Sequence, residues 1–294
     1  MHSILADSII YSMNGIDLHM HSNFSDGELT PAALMQLAYD KQLHTVALTD
    51  HDTLDGNALA AKAAQDLGLR FIHGVEISSY WQYPVTQRAH SVHIVALHLQ
   101  NFAPMQQLLT QQQAQRAQRA IDICAKLEQV LKTDFLPEVR ALVDGVDARI
   151  TRSHIAKVLV KNGVVTRMQQ AFDRFLKEGK RAYVPFSGVE MSDAIKVIHA
   201  SGGVAVLAHP TKYDLSATKV RALIDIFAHA KGDAIELPPM SQSCSTRQMI
   251  ARLVTQYDLS VSIGSDFHGS HMPWLHLGHV PVLEQGQIGV WEKW

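Results

Sequence analysis

Residues 45–52 read Thr45-Val46-Ala47-Leu48-Thr49-Asp50-His51-Asp52, a short apolar run that stops at acid, imidazole and acid. An apolar strand followed at once by groups that need water, a partner or a cation reads as the C-terminal end of a buried strand in a parallel sheet. Segment 56–67 then reads as a helix and 71–77 as the next strand, closed by Gly74-Val75-Glu76. The same alternation continues in both directions. Further strands are expected at 16–21, 92–99, 204–208, 234–237 and 259–263, and helices at 31–41, 191–201, 217–230 and 246–257. Thr30 before Pro31, and Ser216 before its helix, carry the chemistry of N-caps. The pattern predicts an α/β fold: a seven-stranded, distorted (β/α) barrel of parallel strands covered by helices.

One region breaks the alternation. Residues 102–184 read as helix after helix with no strand, so the barrel is assigned to 1–101 and 185–294, and 102–184 to a helical insertion covering the active site. The insertion opens with a polar segment, 106–119, whose Gln-rich part, 111–118, reads as an exposed helix.

Composition narrows the class. In 294 residues, 47% hydrophobic and 18% charged, there is ample material for a buried core. A net charge of -2 argues against nucleic-acid binding through bulk charge, so no stable nucleic-acid complex is expected, although a local basic pocket is compatible with it. Cys124 and Cys244 lie far apart and outside any CxxC motif, which fits a reducing compartment. Residues 1–14 lack a basic leader region, and no apolar run approaches the roughly 18 residues of a membrane span, so a cytoplasmic protein without a membrane partner is expected.

Seventeen histidines raise the question of placement. His19 and His21 lie two apart on the first strand and therefore project from one face with Asp17, while Leu18 and Met20 project from the other. Asp26 follows in Ser25-Asp26-Gly27. His51 and Glu76 close the next two strands, and His93 lies on the fourth. His209 closes the fifth in Leu207-Ala208-His209-Pro210, and Asp266 and His268 follow the last in Gly264-Ser265-Asp266-Phe267-His268. Strand ends of a parallel barrel converge on one face, so these residues are expected to share a metal site. Glu236 is expected to support the site rather than bind within it. His2, His44, His73, His90, His98, His199, His229, His271, His276 and His279 are read as structural. The donors are hard or borderline N and O atoms, suited to Mn, Fe or Zn. No Ser-His-Asp or Cys-His arrangement, GxxxxGK[ST] loop or GxGxxG motif points to covalent hydrolysis, nucleotide triphosphate cleavage or hydride transfer.

The set resembles the PHP (polymerase and histidinol phosphatase) superfamily through Asp17-Leu18-His19-Met20-His21-Ser22, Thr49-Asp50-His51, Gly74-Val75-Glu76, His93, Ala208-His209-Pro210 and Ser265-Asp266-Phe267-His268. Within it, the chain is similar to the branch of 3',5'-nucleoside bisphosphate phosphatases that also act as 5'-to-3' exoribonucleases (RNase AM-like). The likeness there lies in Thr151-Arg152-Ser153-His154, Gly179-Lys180, Tyr183-Val184-Pro185, Tyr213, and Trp274-Leu275 through Gly278. The resemblance implies a distorted (β/α)7 barrel with a helical insertion and up to three divalent ions, commonly manganese. It assigns His19, His21, Glu76 and Asp266 to one ion, Glu76, His93 and His209 to a second, and Asp26, His51 and His268 to a third. His209, Asp266 and His268 are the expected catalytic members. Lys212 departs from the Arg expected before the tyrosine, which keeps the charge and loses a bidentate grip on phosphate.

Clustered divalent ions can activate water for in-line attack on phosphorus, so no nucleophilic side chain is required. Arg116 and Arg119 share a helix face, and Arg152 and His154 begin another helix after Thr151. Arg116 by itself reads as part of a solvated basic face. Arg119, Arg152, His154, Lys180 and Lys212 are the expected holders of a second, non-reacting phosphate, and Tyr213 of a stacked base. The substrates so implied are a nucleotide such as 3',5'-adenosine bisphosphate (pAp, giving AMP and phosphate) and the 5' end of a short RNA. A small metabolite such as histidinol phosphate is the alternative. An amidohydrolase reading lacks a strand-borne lysine to bridge two metals, and a non-enzymatic barrel would show gaps in the ligand set.

Overall fold

The computed structural model describes residues 15–186, 188–272 and 274–294; the readings made on residues 1–14, that they lack a leader region and that His2 is structural, lie outside the described residues. Eight strands form one curled sheet: β1 (Ile16–Asp17), β2 (Thr45–Leu48), β3 (Arg70–Gln82), β4 (Ala89–Leu97), β5 (Val189–Glu190), β6 (Val204–Leu207), β7 (Ala234–Glu236) and β8 (Ser260–Ser262). Their order is β1-β2-β3-β4-β6-β7-β8, with β5 paired to β3. Beyond the formal ends of β1 and β8 the backbones stay joined, with Leu18 N donating to Ile263 O (3.0 Å), Asp266 N to His19 O (2.8 Å) and His21 N to Phe267 O (2.9 Å). These bonds carry the curl toward a barrel and bring the two ends of the chain's ligand motifs together.

The expectation of an all-parallel sheet fails at one strand. β4 runs antiparallel to both β3 and β6. Residues 83–88 link β3 to β4, which is too short for a parallel crossover of a dozen or more residues and long enough for a hairpin. Tyr83 N accepts this geometry by donating to Arg88 O (3.0 Å). β3 also overruns its expected end at residue 77: Ser78 and Ser79 interrupt the apolar run, but the strand continues to Gln82 with Trp81 fully packed. That overrun supplies the edge on which the unexpected β5 pairs, at Ser79 and Tyr80.

The helices are α1 (Pro31–Asp40), α2 (Asn57–Asp66), α3 (Phe102–Leu131), α4 (Leu136–Ala141), α5 (Arg152–Lys161), α6 (Met168–Ala171), α7 (Met191–Ala200), α8 (Ala217–His229) and α9 (Cys244–Gln256). The caps act as the sequence implies: Thr30 Oγ1 accepts from Ala33 N and Ser216 Oγ from Lys219 N, satisfying amides that a helix start leaves open. Among the described residues, no helix is long and apolar enough to cross a membrane.

Two apolar cores divide α3 between them. Met105, Leu108 and Leu109 join the barrel core, whereas Ala120, Ile123, Cys124 and Leu127 join a second core with Phe135, Ile155, Leu159 and Phe175 of the insertion. At about 1.5–3 kcal/mol for each large side chain removed from water, both cores hold α3 and fix the insertion's angle to the barrel. The Gln-rich part of α3 is not the exposed helix its composition suggests. Gln112 is buried, its Nε2 donating to Ser78 O (2.6 Å) and its Oε1 accepting from Val189 N (3.1 Å), while Gln113 Nε2 donates to Asp52 O (3.1 Å). An amide is tolerated there because strand edges supply its donors and acceptors.

Candidate metal centre

Glu76 is the hub of the site. It sits in register with His51 at the end of the β2/β3 pair and is fully buried. Its Oε1 lies 2.7 Å from His93 Nδ1 and 3.0 Å from His209 Nε2; its Oε2 lies 2.9 Å from His51 Nδ1, 3.3 Å from His21 Nε2 and 3.4 Å from His19 Nε2. Asp266 Oδ1 faces His19 Nε2 (3.5 Å) and His21 Nε2 (3.3 Å), and Asp26 Oδ1 faces His268 Nε2 (3.3 Å) and His51 Nε2 (3.7 Å). Donor atoms within 4.8 Å of one another define three overlapping groups among the described residues. They are His19, His21, Glu76 and Asp266; His21, Asp26, His51 and His268; and His51, Glu76 and His93. His209 meets the cluster through Glu76 rather than as a member of a group, and His93 arrives from mid-strand on the antiparallel β4 rather than from a parallel strand end.

The local chain is built to hold these groups. Alternation along residues 18–21 turns Leu18 and Met20 into the core and both imidazoles toward the cluster. Gly264 permits that approach, since a Cβ there would stand 2.2 Å from His19 Cβ. The loop carrying Asp26 is tied to Asp50, which accepts from Ser22 N (2.7 Å), Ser22 Oγ (2.6 Å) and Ser25 Oγ (2.6 Å). Asp17 accepts from Ser265 N and Gly278 N, pinning the segments after β8. Glu236 Oε2 lies 2.6 Å from His19 Nδ1, so that His19 presents Nε2 to the cluster, a carboxylate–histidine pairing typical of metal-ligating imidazoles. His209 and Asp266 have φ of 29° and 56°, in the left-handed region that non-glycine residues seldom occupy and that gathers at functional sites.

Electrostatics inside the cluster are severe without a cation. Burial would raise the Glu76 carboxyl, but the imidazoles of His93, His51 and His19 outweigh it and hold it well below the usual range. Burial would likewise raise the Asp26 and Asp266 carboxyls, but His268 and His51 hold Asp26, and Lys212 and His19 hold Asp266, well below the usual range. Burial would lower His19, yet Glu236, Glu76 and Asp266 keep it well above an ordinary imidazole. Several of these buried atoms, His19 Nε2, His21 Nε2, His51 Nδ1, Asp26 Oδ1 and Glu76 Oε2, have no hydrogen-bond partner among the described residues. Leaving a buried polar atom unpaired costs about 1–3 kcal/mol. Divalent cations fit this donor set: they accept imidazole and carboxylate lone pairs together and satisfy every orphaned atom.

Beside the cluster lies a cavity of about 330 Å³. The barrel contributes Asp26, His51, His93 and His268 to its wall; the insertion contributes Arg116, Arg119, Arg152, Phe172 and Tyr183, with Phe186 following. Arg119 donates from Nε to Val184 O (3.0 Å) and its guanidinium lies 5.6 Å from the Phe186 ring centroid. The Arg152 guanidinium stands 5.7 Å from the centroid of Phe172, which lies on a π-helical turn (Phe172–Leu176), and makes no hydrogen bond or ion pair among the described residues. Burial, with the Arg152 and Arg116 charges alongside, lowers Arg119 to about 10, which leaves it cationic at neutral pH.

His154, Lys180, Lys212 and Tyr213, also expected at the substrate, do not line this cavity. Arg116 is not part of a solvated face: Nη1 reaches Asp52 Oδ2 (2.8 Å) and Ser78 Oγ (3.2 Å), bracing α3 on the barrel. His154 is buried and does not line the cavity; its Nδ1 accepts from Thr151 N (3.1 Å) in a capping box, and burial pushes it down to about 4. Lys180 is exposed and lines neither this cavity nor the neighbouring one. Lys212 Nζ is held 2.8 Å from Asp266 Oδ2. Tyr213 lines neither this cavity nor the neighbouring one; its hydroxyl accepts from His93 N (2.7 Å) and donates to Ala208 O (2.9 Å), clasping β4 to β6. Two contributors escaped the sequence reading. Asp50 is one, although a carboxylate beside His51 with Ser22 and Ser25 upstream was its signal. The other is Arg149, 4.4 Å from the Phe24 centroid, where the insertion presses on the Asp26 loop; only the three-dimensional approach reveals it.

Known proteins share this architecture. The PHP domain model matches residues 17–187. The chain is 40% identical over 278 residues to the 5'-3' exoribonuclease of Haemophilus influenzae, covering 94% of this chain and 98% of that one. It is 34% identical over 282 residues to the 3',5'-nucleoside bisphosphate phosphatase of Chromobacterium violaceum, covering 96% of each. A solved structure from Chromobacterium violaceum, described as an amidohydrolase with bound sulfate and no metal, superposes with a TM-score of 0.85 at 34% identity over 95% of both chains.

Proposed function

Because the chain belongs to the PHP domain family, we propose that it is a metal-dependent phosphoric ester hydrolase that converts 3',5'-nucleoside bisphosphates such as pAp to the 5'-mononucleotide and phosphate, and removes 5' mononucleotides from short RNA. The observation that carries this reading is the juxtaposition of two unlike walls in one cavity: the Glu76-centred donors of the barrel, and the Arg119 and Arg152 guanidiniums of the insertion. A substrate with one phosphate to react and another to grip fits that pairing. Residues 1–101 and 185–294 supply the reaction face in this proposal, and 102–184 supply recognition.

The proposed ligands are His19, His21, Glu76 and Asp266 for one ion, Glu76, His93 and His209 for a second, and Asp26, His51 and His268 for a third, with manganese favoured and iron or zinc acceptable to the same donors. Bound there, divalent ions would supply an activated water and neutralise charge on the reacting phosphate. The chain's own residues do the rest. Glu236 keeps His19 in the tautomer whose Nε2 faces the cluster. Asp50 holds the Asp26 loop closed through Ser22 and Ser25. Arg152, whose guanidinium has no hydrogen-bonding partner among the described residues, and Arg119 grip the non-reacting phosphate, and the Phe172, Tyr183 and Phe186 rings offer apolar faces to the base. Lys212 steadies Asp266 rather than the distant phosphate.

An amide substrate is less well matched, since a cavity with paired guanidiniums favours an anion and Lys212, the lysine nearest the cluster, is engaged by Asp266. The two unpaired cysteines and the nucleotide chemistry are consistent with a cytoplasmic setting. The test is phosphate release from pAp by manganese-loaded protein, beside histidinol phosphate, 5'-AMP and a short 5'-phosphorylated RNA. Preference for pAp with mononucleotide release from RNA is expected; preference for histidinol phosphate would overturn the substrate assignment.

A further inference from the structure

A second cavity, of about 620 Å³, adjoins the same cluster. Among the described residues it shares only His268 and Met272 with the first, and Asp266 and Glu236 are part of its lining. The chemistry of the two differs. The first carries guanidiniums; in the second the cation, Lys212, is held by Asp266, and Glu236 is held by His19. The rest of the lining includes Pro239, Met240, Leu275, Gln242 and Ser241, the His276 and His279 rings with centroids 4.9 Å apart, and Trp274, which is 71% exposed. A large indole left in water at the mouth of a cavity that reaches a reaction centre is suited to stacking on a flat, weakly polar ring.

We propose that this cavity binds the nucleotide on the 3' side of the scissile phosphate of single-stranded RNA, with its base stacked on Trp274. The inference rests on the function proposed above and adds where the rest of the chain goes. In pAp and in a 5'-phosphorylated RNA the same bond breaks: water oxygen adds to phosphorus, the bond from phosphorus to the 3' oxygen of the first nucleotide is cleaved, and that oxygen leaves with a proton as a 3' hydroxyl. The phosphate stays free in the first case and becomes the new 5' phosphate of the shortened chain in the second. The first nucleotide and its 5' phosphate occupy the arginine-lined cavity. Whatever is attached beyond the reacting phosphate must leave the cluster by another route, and the Asp266–His268 wall opens onto the second cavity. A site for the second nucleotide needs a base platform more than a further cation, because its 5' phosphate is already at the cluster and its 3' phosphate leads on with the rest of the chain. Trp274, Met240 and Gln242 meet that need, and stacking on an aromatic is tolerant of base identity.

Replacing Trp274 tests this with little risk to the fold, since its side chain is mostly in solvent. In the manganese-loaded full chain, kcat/KM is measured for pAp and for a 5'-phosphorylated pentaribonucleotide in wild type, Trp274→Ala and Trp274→Phe. Loss of one stacked base predicts that the RNA-to-pAp ratio falls about tenfold in Trp274→Ala, mainly through KM, and is largely restored in Trp274→Phe. An unchanged ratio, whether both activities persist or both fall together, overturns the assignment while leaving pAp hydrolysis to speak for the function. Wild-type protein that cleaves pAp but not RNA also overturns it; wild-type protein that cleaves neither overturns the underlying function as well.

Discussion

Replacing Glu236 separates a supporting carboxylate from a bystander. Its Oε2 lies 2.6 Å from His19 Nδ1, and both side chains are buried. Glu236→Gln keeps an acceptor in place and removes the charge; Glu236→Ala removes both. A hydrogen bond involving a charged group contributes about 1.5–3 kcal/mol, but part of the loss is felt equally with and without metal and cancels from the binding constant. The surviving part matches the 10- to 100-fold range found when such partners of metal-bound histidines are removed. Manganese affinity is therefore expected to drop about tenfold in Glu236→Gln and toward 100-fold in Glu236→Ala, read by competition with a fluorescent chelator. Far-ultraviolet circular dichroism should remain that of wild type. Affinity within twofold of wild type in Glu236→Ala would refute the reasoning, because His19 would then need no orienting partner.

Further consequences can be measured independently. Arg152→Ala should lower kcat/KM for pAp by about 10- to 100-fold, the loss of one charge-assisted phosphate contact, and that for a simple aryl phosphate far less; equal losses on both would remove Arg152 from the phosphate grip. Gly264→Ala places a Cβ 2.2 Å from His19 Cβ and is expected to deplete bound metal, with overpacking of about 1–3 kcal/mol lowering Tm; wild-type metal content by plasma mass spectrometry would contradict this. For His268, burial pulls the pKa down, but Asp26 and Asp266 raise it from 6.5 to about 9 in the metal-free site. The stability contributed by that pairing is full below about pH 6.5 and lost as pH rises through about 9. Metal must displace this proton, so manganese affinity should rise from pH 6 to pH 8 with proton release in weakly buffered solution; a pH-independent affinity would rule the linkage out.

What the sequence makes legible follows from local rules. Alternation along residues 16–21 and the stop of apolar runs at His51, His209 and Asp266 encode both strand direction and which side chains gather, because both depend on neighbours in the chain. The direction of β4 does not follow from such rules. It is set by the short link at 83–88, hidden by a strand that continues through Ser78 and Ser79 after its apolar run has ended. The burial of Gln112 and Arg116 is illegible for another reason: each is polar by composition, and its partners, Ser78, Val189 and Asp52, are remote in sequence. The clasp that the Tyr213 hydroxyl forms between two strands is hidden for the same reason, since one of its partners, His93, is 120 residues away.

The central claim is that the donors around Glu76 form a multinuclear metal centre on which phosphoester hydrolysis depends. The most direct measurement titrates manganese into chelator-stripped protein while bound metal and phosphate release from pAp are followed in the same samples, for wild type and for Glu76→Gln. The account predicts no turnover without metal, activity that grows as more than one ion per chain is bound, and loss of both binding and turnover in the variant. Full turnover in stripped protein, or undiminished metal binding and activity in Glu76→Gln, would contradict it.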